Sequence, residues 1–153
     1  MPDLRFESVR PDSDDGVCSD WQYVHNLIIP TSPLSVGEIR ARADRNRLTV
    51  TYHCDTLVGC STVRPPMDDQ ATATVIVRVL PEHRRRGFGG RLYDEALAAA
   101  YEVGARVIET VVLATNQDGL RFAERHGYVE IDRYLLDGDT IPFVDLRLAE
   151  STG

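Results

Sequence analysis

The stretch V-R-V-L-P-E-H-R-R-R-G-F-G-G-R-L, residues 77–92, joins an apolar strand to a helix through a glycine-rich turn. Pro81 has no backbone N–H and therefore ends the strand's ladder of hydrogen bonds. Gly87, Gly89 and Gly90 follow shortly after it. Because glycine has no Cβ, this turn can present consecutive backbone N–H groups to a ligand.

Charge and helix geometry favour an anionic ligand at the same turn. A helix predicted to begin near Arg91 contributes unpaired N–H groups and the positive end of a helix dipole. Arg84, Arg85 and Arg86 contribute full charges and forked donors just before Phe88. The order of strand, glycine turn and helix therefore predicts a cradle for a phosphorylated ligand at residues 84–90.

This turn resembles the acyl-CoA loop of the GCN5-related N-acetyltransferases. Their pattern, Gln/Arg-x-x-Gly-x-Gly/Ala after a strand, is matched by Arg84, Gly87 and Gly89. No G-x-x-x-x-G-K-[ST] sequence occurs, and the glycine spacing does not fit a dinucleotide-binding fingerprint. The motif alone leaves one alternative open, a basic glycine turn that binds nothing.

The composition is that of one globular domain. The chain has 153 residues, of which 42% are hydrophobic and 27% are charged. We expect a single domain over residues 1–149, followed by a polar tail at 150–153. No apolar run reaches the roughly 18 residues of a membrane span, and the N-terminus has no signal core. These features predict a cytoplasmic protein without a membrane partner.

The net charge and the cysteines limit the ligands further. A net charge of −7 argues against nucleic acid as the main partner, because binding a phosphate backbone needs a broad basic face. An acidic surface around a substrate cleft would instead favour a cationic amine. Cys18, Cys54 and Cys60 are an odd number in a chain without a signal, and we interpret them as reduced core residues. Their spacing gives no metal site.

Periodicity and turn residues predict the element order β-α-α-β-β-β-α-β-α-β-β. The second helix begins with a capping box, Ser35 and Glu38, and the first helix is capped by Ser19 or Asp20. The arginines of the second helix, Arg40, Arg42 and Arg45, are predicted at the surface. The predicted elements cover residues 4–10, 21–29, 36–45, 47–54, 57–64, 71–80, 91–103, 107–113, 116–126, 128–136 and 141–148. The family resemblance implies the corresponding α/β (α+β) fold, a mixed and mostly antiparallel sheet of about seven strands flanked by about four helices.

A second family signature, N-x-x-A-x-x-F-Y-x-x-x-G-F, resembles N-Q-D-G-L-R-F-A-E-R-H-G-Y at residues 116–128. Asn116 matches an asparagine that often contacts the CoA arm in relatives, and it can equally cap a helix. The family's frequent tyrosine, which protonates the leaving thiolate, falls at Ala123, and alanine cannot donate a proton. Other donors that the sequence does not place are Tyr93, Tyr101, Tyr134 and His126.

The resemblance implies an N-acetyltransferase that uses acetyl-CoA and no metal. In this family two neighbouring strands splay apart before the cradle, and pantetheine would bind there to the main chain of Val77 and Val79. Residues 84–90 would hold the pyrophosphate, and a primary amine would attack the thioester directly. Relatives often dimerise through their last strands, so a homodimer is one option, and the oligomeric state stays open.

The sequence offers few candidates for a general base. Some relatives carry glutamate on the fourth strand, where this chain has A-T-V at residues 73–75. Glu109 on the fifth strand would reach the cleft if it faces inward, and a salt-bridged glutamate is the alternative. His25 and His53 are further candidates.

Two other classes of function stay open at this stage. The missing tyrosine at position 123 motivates a CoA-binding domain without turnover, acting as a sensor or a partner subunit. Thiol release across a panel of amines separates that domain from an enzyme. The three adjacent arginines would alternatively contact nucleic acid, which salt-sensitive retention on DNA would reveal.

Overall fold

The computed structural model describes residues 3–149, so the predicted tail at 150–153 lies outside the described residues. Seven strands and four α-helices follow the predicted order, with a short 3₁₀ helix at Pro81–His83 after the fourth strand. The elements are β1 (Leu4–Val9), α1 (Asp15–Ile28), α2 (Val36–Ala43), β2 (Arg47–His53), β3 (Thr56–Arg64), β4 (Thr72–Val79), α3 (Phe88–Glu102), β5 (Val107–Leu113), α4 (Gln117–Arg125), β6 (Tyr128–Tyr134) and β7 (Phe143–Leu148).

One seven-stranded sheet carries the fold, in the order β1-β2-β3-β4-β5-β7-β6. Neighbouring strands are antiparallel except β4 and β5, which are parallel and pair only over residues 72–74 and 107–109. This pair is parallel because α3 returns the chain to the end of the sheet where β4 began. The predicted mixed, mostly antiparallel sheet with four helices is confirmed.

Helices cover both faces of the sheet. On one face α1 and α2 bury Trp21 and Ile39 against Leu48 of β2. On the other face α3 and α4 bury a cluster that includes Ala96 and Val75 of β4. All five side chains are 2% exposed or less, so their apolar area is almost wholly removed from water. The sheet therefore separates two cores, and any ligand that reaches both must pass between strands.

Two helices begin earlier than predicted, for local reasons. The first begins at Asp15 and not at Trp21, because Asp14 Oδ1 accepts the N–H of Val17 at 2.9 Å and caps the helix. The third begins at Phe88, because Gly87 adopts the left-handed conformation (φ +80°) as its N-cap. The predicted capping box of α2 is present.

The hairpin between β2 and β3 corrects one reading of the cysteines. Its turn is Cys54-Asp55, since His53 pairs with Thr56. Cys54 lies at the tip with a positive φ of 56° and is exposed, so the expectation that it is a core residue is wrong. Cys18 and Cys60 are buried as expected.

No helix within residues 3–149 is long and apolar enough to cross a membrane. The sheet ends at β6, whose edge exposes Val129 by 59% and Ile131 by 45%. An exposed apolar edge strand suits pairing with another chain. The homodimer nevertheless stays a prediction.

Candidate active site

The main cleft begins where β4 and β5 stop pairing. Their last paired residues are Thr74 and Glu109, and beyond them the strands diverge. Residues 75–79 and 110–113 line opposite sides of the gap, hereafter the split, which belongs to a cleft of about 700 Å³. The splayed strands that the resemblance implied are therefore present.

Backbone N–H groups of β4 face the split. Leu80 donates its N–H to Val58 of β3 at 2.9 Å, so the even-numbered residues of this strand turn their backbone groups toward β3. Since backbone direction alternates along a strand, Val77 and Val79 turn theirs toward β5. The Val79 carbonyl already accepts Arg84 Nε at 3.0 Å. The N–H groups of Val77 and Val79 are thus the strand donors that an extended ligand in the split would meet.

The glycine turn lies at one end of the cleft and opens into the first turn of α3. Gly87, Gly89 and Gly90 all line the cleft. A Cβ on Gly87 or Gly90 would meet nothing within 4 Å, whereas one on Gly89 would lie 3.1 Å from the Phe122 ring. The first N–H groups of α3 have no partner within the helix. The predicted cradle therefore has both open space and free donors, which is the geometry that an anion needs.

The three adjacent arginines have different surroundings. Arg84 and Arg85 line the cleft, and Arg84 is fixed by an ion pair with Asp118 at 3.1 Å. Arg86 lies outside the lining, with its guanidinium 4.8 Å from the centre of the Phe88 ring. The Phe88 side chain is 1% exposed and packs in the core, so only its backbone N–H faces the turn.

Asn116 also lines the cleft and caps α4. Its Oδ1 accepts the N–H of Gly119 at 3.0 Å, which confirms the capping role. The Nδ2 group keeps its two donors for a ligand carbonyl. Capping uses only Oδ1, so capping and a ligand contact by Nδ2 are compatible.

Ala123 lines the cleft at the position where the family signature has tyrosine. Two phenols do lie in the same lining, those of Tyr93 on α3 and Tyr128 on β6. Their hydroxyl oxygens are 3.0 Å apart. Burial is the main cause that raises the pKa of both, so both stay protonated and can donate. Tyr101 is 50% exposed outside the cleft. Tyr93 and Tyr128 lie on different elements, α3 and β6, so only the folded structure brings their hydroxyls together.

Glu109 is ion-paired and does not line the cleft. Its Oε2 accepts both Nε and Nη2 of Arg147 on β7, at 2.9 and 2.6 Å. It occupies the last β4–β5 pair, before the strands diverge. His53 packs against the Phe88 ring at 5.1 Å and is likewise outside the lining.

A second, smaller cavity of about 170 Å³ lies on the α1–α2 face of the sheet. We call it the arginine cavity, because Arg42, Arg64 and Arg78 line it. It shares four lining residues with the main cleft, Ile29, Ile76, Arg78 and Val111, and the last three lie on β4 and β5 at the split. The sequence expected Arg42 at the surface; its half-buried position comes from the packing of α2.

His25 lies in the wall of the arginine cavity. Burial first, and then the charge of Arg78, lower its pKa to about 4. Its ring stacks on Trp21 at 5.2 Å and its Nδ1 contacts Asn26 Oδ1 at 3.0 Å. His25 is therefore neutral near pH 7 and a weak base.

The sheet split beside a glycine turn defines the class of acyl-CoA-binding transferases. The acetyltransferase (GNAT) family model matches residues 19–128, and the chain belongs to this family. Its members are acetyl-CoA-dependent acyltransferases, which gives the chain its enzyme class and its co-substrate. No group of three or more His, Cys, Asp or Glu residues that could hold a metal occurs within residues 3–149.

Solved structures share the fold at low sequence identity. One, provisionally described as a phosphinothricin N-acetyltransferase, is 18% identical, with a TM-score of 0.75, over 97% of this chain and all of that one. A provisionally assigned acetyltransferase of Salmonella typhimurium, solved with acetyl-CoA, is 14% identical (TM-score 0.72; 98% and 96% covered). NAA60 of Arabidopsis thaliana, solved with a bisubstrate analogue, is 16% identical (TM-score 0.71; 95% and 97% covered). A sequence comparison with curated proteins finds no match.

Proposed function

We propose that the protein transfers an acetyl group from acetyl-CoA to the primary amine of a small molecule, by direct attack within a ternary complex. One observation carries the proposal: the main cleft and the arginine cavity share lining residues of β4 and β5 at the split. A thioester bound from one side would there meet an amine bound from the other. Holding two reactants in such a geometry can supply roughly 7–11 kcal/mol of barrier reduction.

The co-substrate would be held by groups already described. The first N–H groups of α3 and the guanidinium of Arg85 would bind the pyrophosphate. The N–H groups of Val77 and Val79 and the Nδ2 of Asn116 would bind the pantetheine arm. The N–H nearest the thioester, at Val79, would donate to the oxygen that becomes negative in the transition state.

The chemistry needs no covalent enzyme intermediate. The neutral amine forms the new N–C bond, the C–S bond breaks, and CoA leaves as a thiolate. The amine loses one proton and the thiolate gains one, so the step is balanced. A thiol pKa of about 8.5 lets the thiolate take its proton from water, and the Tyr93–Tyr128 pair is a buried donor in the same lining.

Acetyl-CoA binding and turnover are tested separately. Acetyl-CoA should raise the melting temperature, because a ligand that binds only the folded state stabilises it. Thiol release should then depend on an added amine. A melting temperature that acetyl-CoA leaves unchanged would refute the cradle and the function with it.

A domain that binds CoA without turnover is the second candidate, and Ala123 favours it. In that case acetyl-CoA raises the melting temperature as before, but no amine releases thiol above the rate without protein. Activity on any amine excludes this candidate.

A further inference from the structure

The arginine cavity concentrates positive charge in an acidic protein. Arg42 comes from α2, Arg64 from β3 and Arg78 from β4, and no Asp or Glu lines the cavity. Yet the chain has 24 acidic and 17 basic residues. The acidic composition predicted a negatively charged cleft suited to cationic amines. The lining of the arginine cavity is instead positively charged.

The three arginines are not neutralised by close carboxylates. Seven ion pairs occur within residues 3–149, and none includes Arg42, Arg64 or Arg78. Two carboxylates act on the cluster from farther away, Glu38 on Arg42 and Asp145 on Arg64, and each already accepts a hydrogen bond from another group. Glu38 accepts the backbone N–H of Ser35 at 3.1 Å, and Asp145 accepts the Tyr134 hydroxyl at 3.2 Å.

The cluster is also electrostatically unfavourable in the free protein. Burial lowers the pKa of Arg78, its interaction with Cys60 opposes that effect, and the charges of Arg64 and Arg42 lower the pKa further. Burial and Arg64 do the same to Arg42. Three like charges around one small cavity weaken the folded state unless an anion joins them. Such a cluster of like charges is typical of a binding site, where the free protein is less stable than it could be because the charges are needed to bind the ligand.

We propose that the arginine cavity binds an anionic oxyacid group, a carboxylate or a phosphonate, on the acceptor amine. Three forked guanidinium groups suit the planar or tetrahedral oxygens of such a group. The volume of about 170 Å³ equals about six liquid waters, which fits a small amino acid and not a folded protein. Arg78 and Ile76 line both spaces, so an amine a few bonds from the anion would reach the split. This inference rests on the proposed function.

The first experiment compares acceptors that differ only in the anionic group. With saturating acetyl-CoA, thiol release is measured for α-amino acids, their carboxamides, aminoalkylphosphonates and spermidine. We expect kcat/KM to be at least about tenfold higher for the acids than for the matching amides. The amides cannot accept the charge-assisted hydrogen bonds that the arginines donate to a carboxylate. The amide has the less basic amine and more of it is neutral, so amine reactivity alone would give the opposite order. The phosphonates identify which oxyacid is preferred.

The second experiment removes the charges one at a time. Arg42→Met and Arg78→Met should each abolish most of the preference for acids over amides. The melting temperature of the free Arg42→Met protein should stay level or rise, because a repelling charge is gone. A purely structural arginine would lower it. Arg106→Met is the matched control, since Arg106 is exposed and lines neither space.

The outcomes separate this inference from the function on which it rests. If acetyl-CoA leaves the melting temperature unchanged, both fail. If acetyl-CoA binds but spermidine or amides are acetylated as well as acids, the anionic acceptor is refuted and the acetyltransferase stands. If no acceptor reacts, the same acids and phosphonates are added to the CoA-loaded protein. The absence of any further rise in melting temperature then overturns the inference.

Discussion

A Cβ on Gly59 of β3 would lie 2.3 Å from the carbonyl oxygen of Arg78 on β4. That distance is far inside van der Waals contact, and the atom it meets is backbone and not a flexible side chain. Glycine therefore lets β3 approach β4 at the level of the split, where Gly59 pairs with Val79. A residue distant along the chain from the glycine turn thus helps to place the strand that faces the ligand.

We expect Gly59→Ala to lower the free energy of unfolding by more than about 2 kcal/mol, because the two backbones must separate. The shift of β4 should also weaken acetyl-CoA binding. Urea unfolding and the acetyl-CoA-induced rise in melting temperature measure the two effects. The control is Gly37→Ala in α2, where the nearest atom would be 3.9 Å away; helix propensity there predicts a gain of about 0.5–1 kcal/mol. Equal effects of the two substitutions would contradict the close approach.

Gly90→Asp should abolish acetyl-CoA binding without unfolding the protein. The new side chain enters open space, so no clash arises. A carboxylate in the first turn of α3 stabilises the helix by about 0.3–1 kcal/mol, yet it repels the pyrophosphate. We expect a free protein as stable as the wild type whose melting temperature no longer responds to acetyl-CoA.

Gly90→Ala is the control for the change of backbone freedom alone. Position 90 is a better test than position 89, because a side chain on Gly89 would also press on Phe122 and could weaken binding through packing alone. If Gly90→Asp still binds acetyl-CoA with wild-type affinity, the pyrophosphate does not lie at the start of α3.

Glu109→Gln should leave turnover within about twofold of the wild type. The carboxylate is held by Arg147 and lies outside the lining of the cleft, so it is poorly placed to accept a proton from the amine. The measurement is the pH dependence of kcat/KM on an active acceptor. Loss of the acidic limb of that profile, with a fall of a hundredfold or more on the scale expected for a general base, would restore Glu109 as the base.

His25 should make the protein less stable as the pH falls from about 6.5 to 4. Its folded pKa of about 4 lies below the ordinary value near 6.5, so between these values the unfolded chain binds more protons. Stability linked to His25 is therefore complete above pH 6.5, and about 3 kcal/mol of it is lost by pH 4.

The test compares wild type and His25→Gln by urea unfolding at several pH values. Glutamine cannot titrate, so the difference between the two proteins isolates His25 from the carboxylates, which both proteins share. We expect the stability of the wild type to fall more steeply than that of His25→Gln across this range. Parallel curves would mean that the His25 imidazole is not held neutral by the fold.

Local patterns were sufficient for the element order. The α2 capping box needs only Ser35 and Glu38, three residues apart, and the apolar run of β5 predicts a covered central strand. Boundaries were less certain, because several residues compete for one role. Asp14, Ser19 and Asp20 can each cap a helix, and in the structure Asp14 is the cap.

What the sequence determined by itself was the glycine turn, since Gly87, Gly89, Gly90 and the adjoining arginines are neighbours along the chain and their geometry is local. Tertiary structure alone decided the arginine cavity. Arg42, Arg64 and Arg78 lie on three different elements, and no spacing along the chain signals that they share a wall. Sheet register and helix packing bring them together. The sequence gives the charge of each side chain, but the electrostatic field of the cavity depends on where the folded chain places those charges.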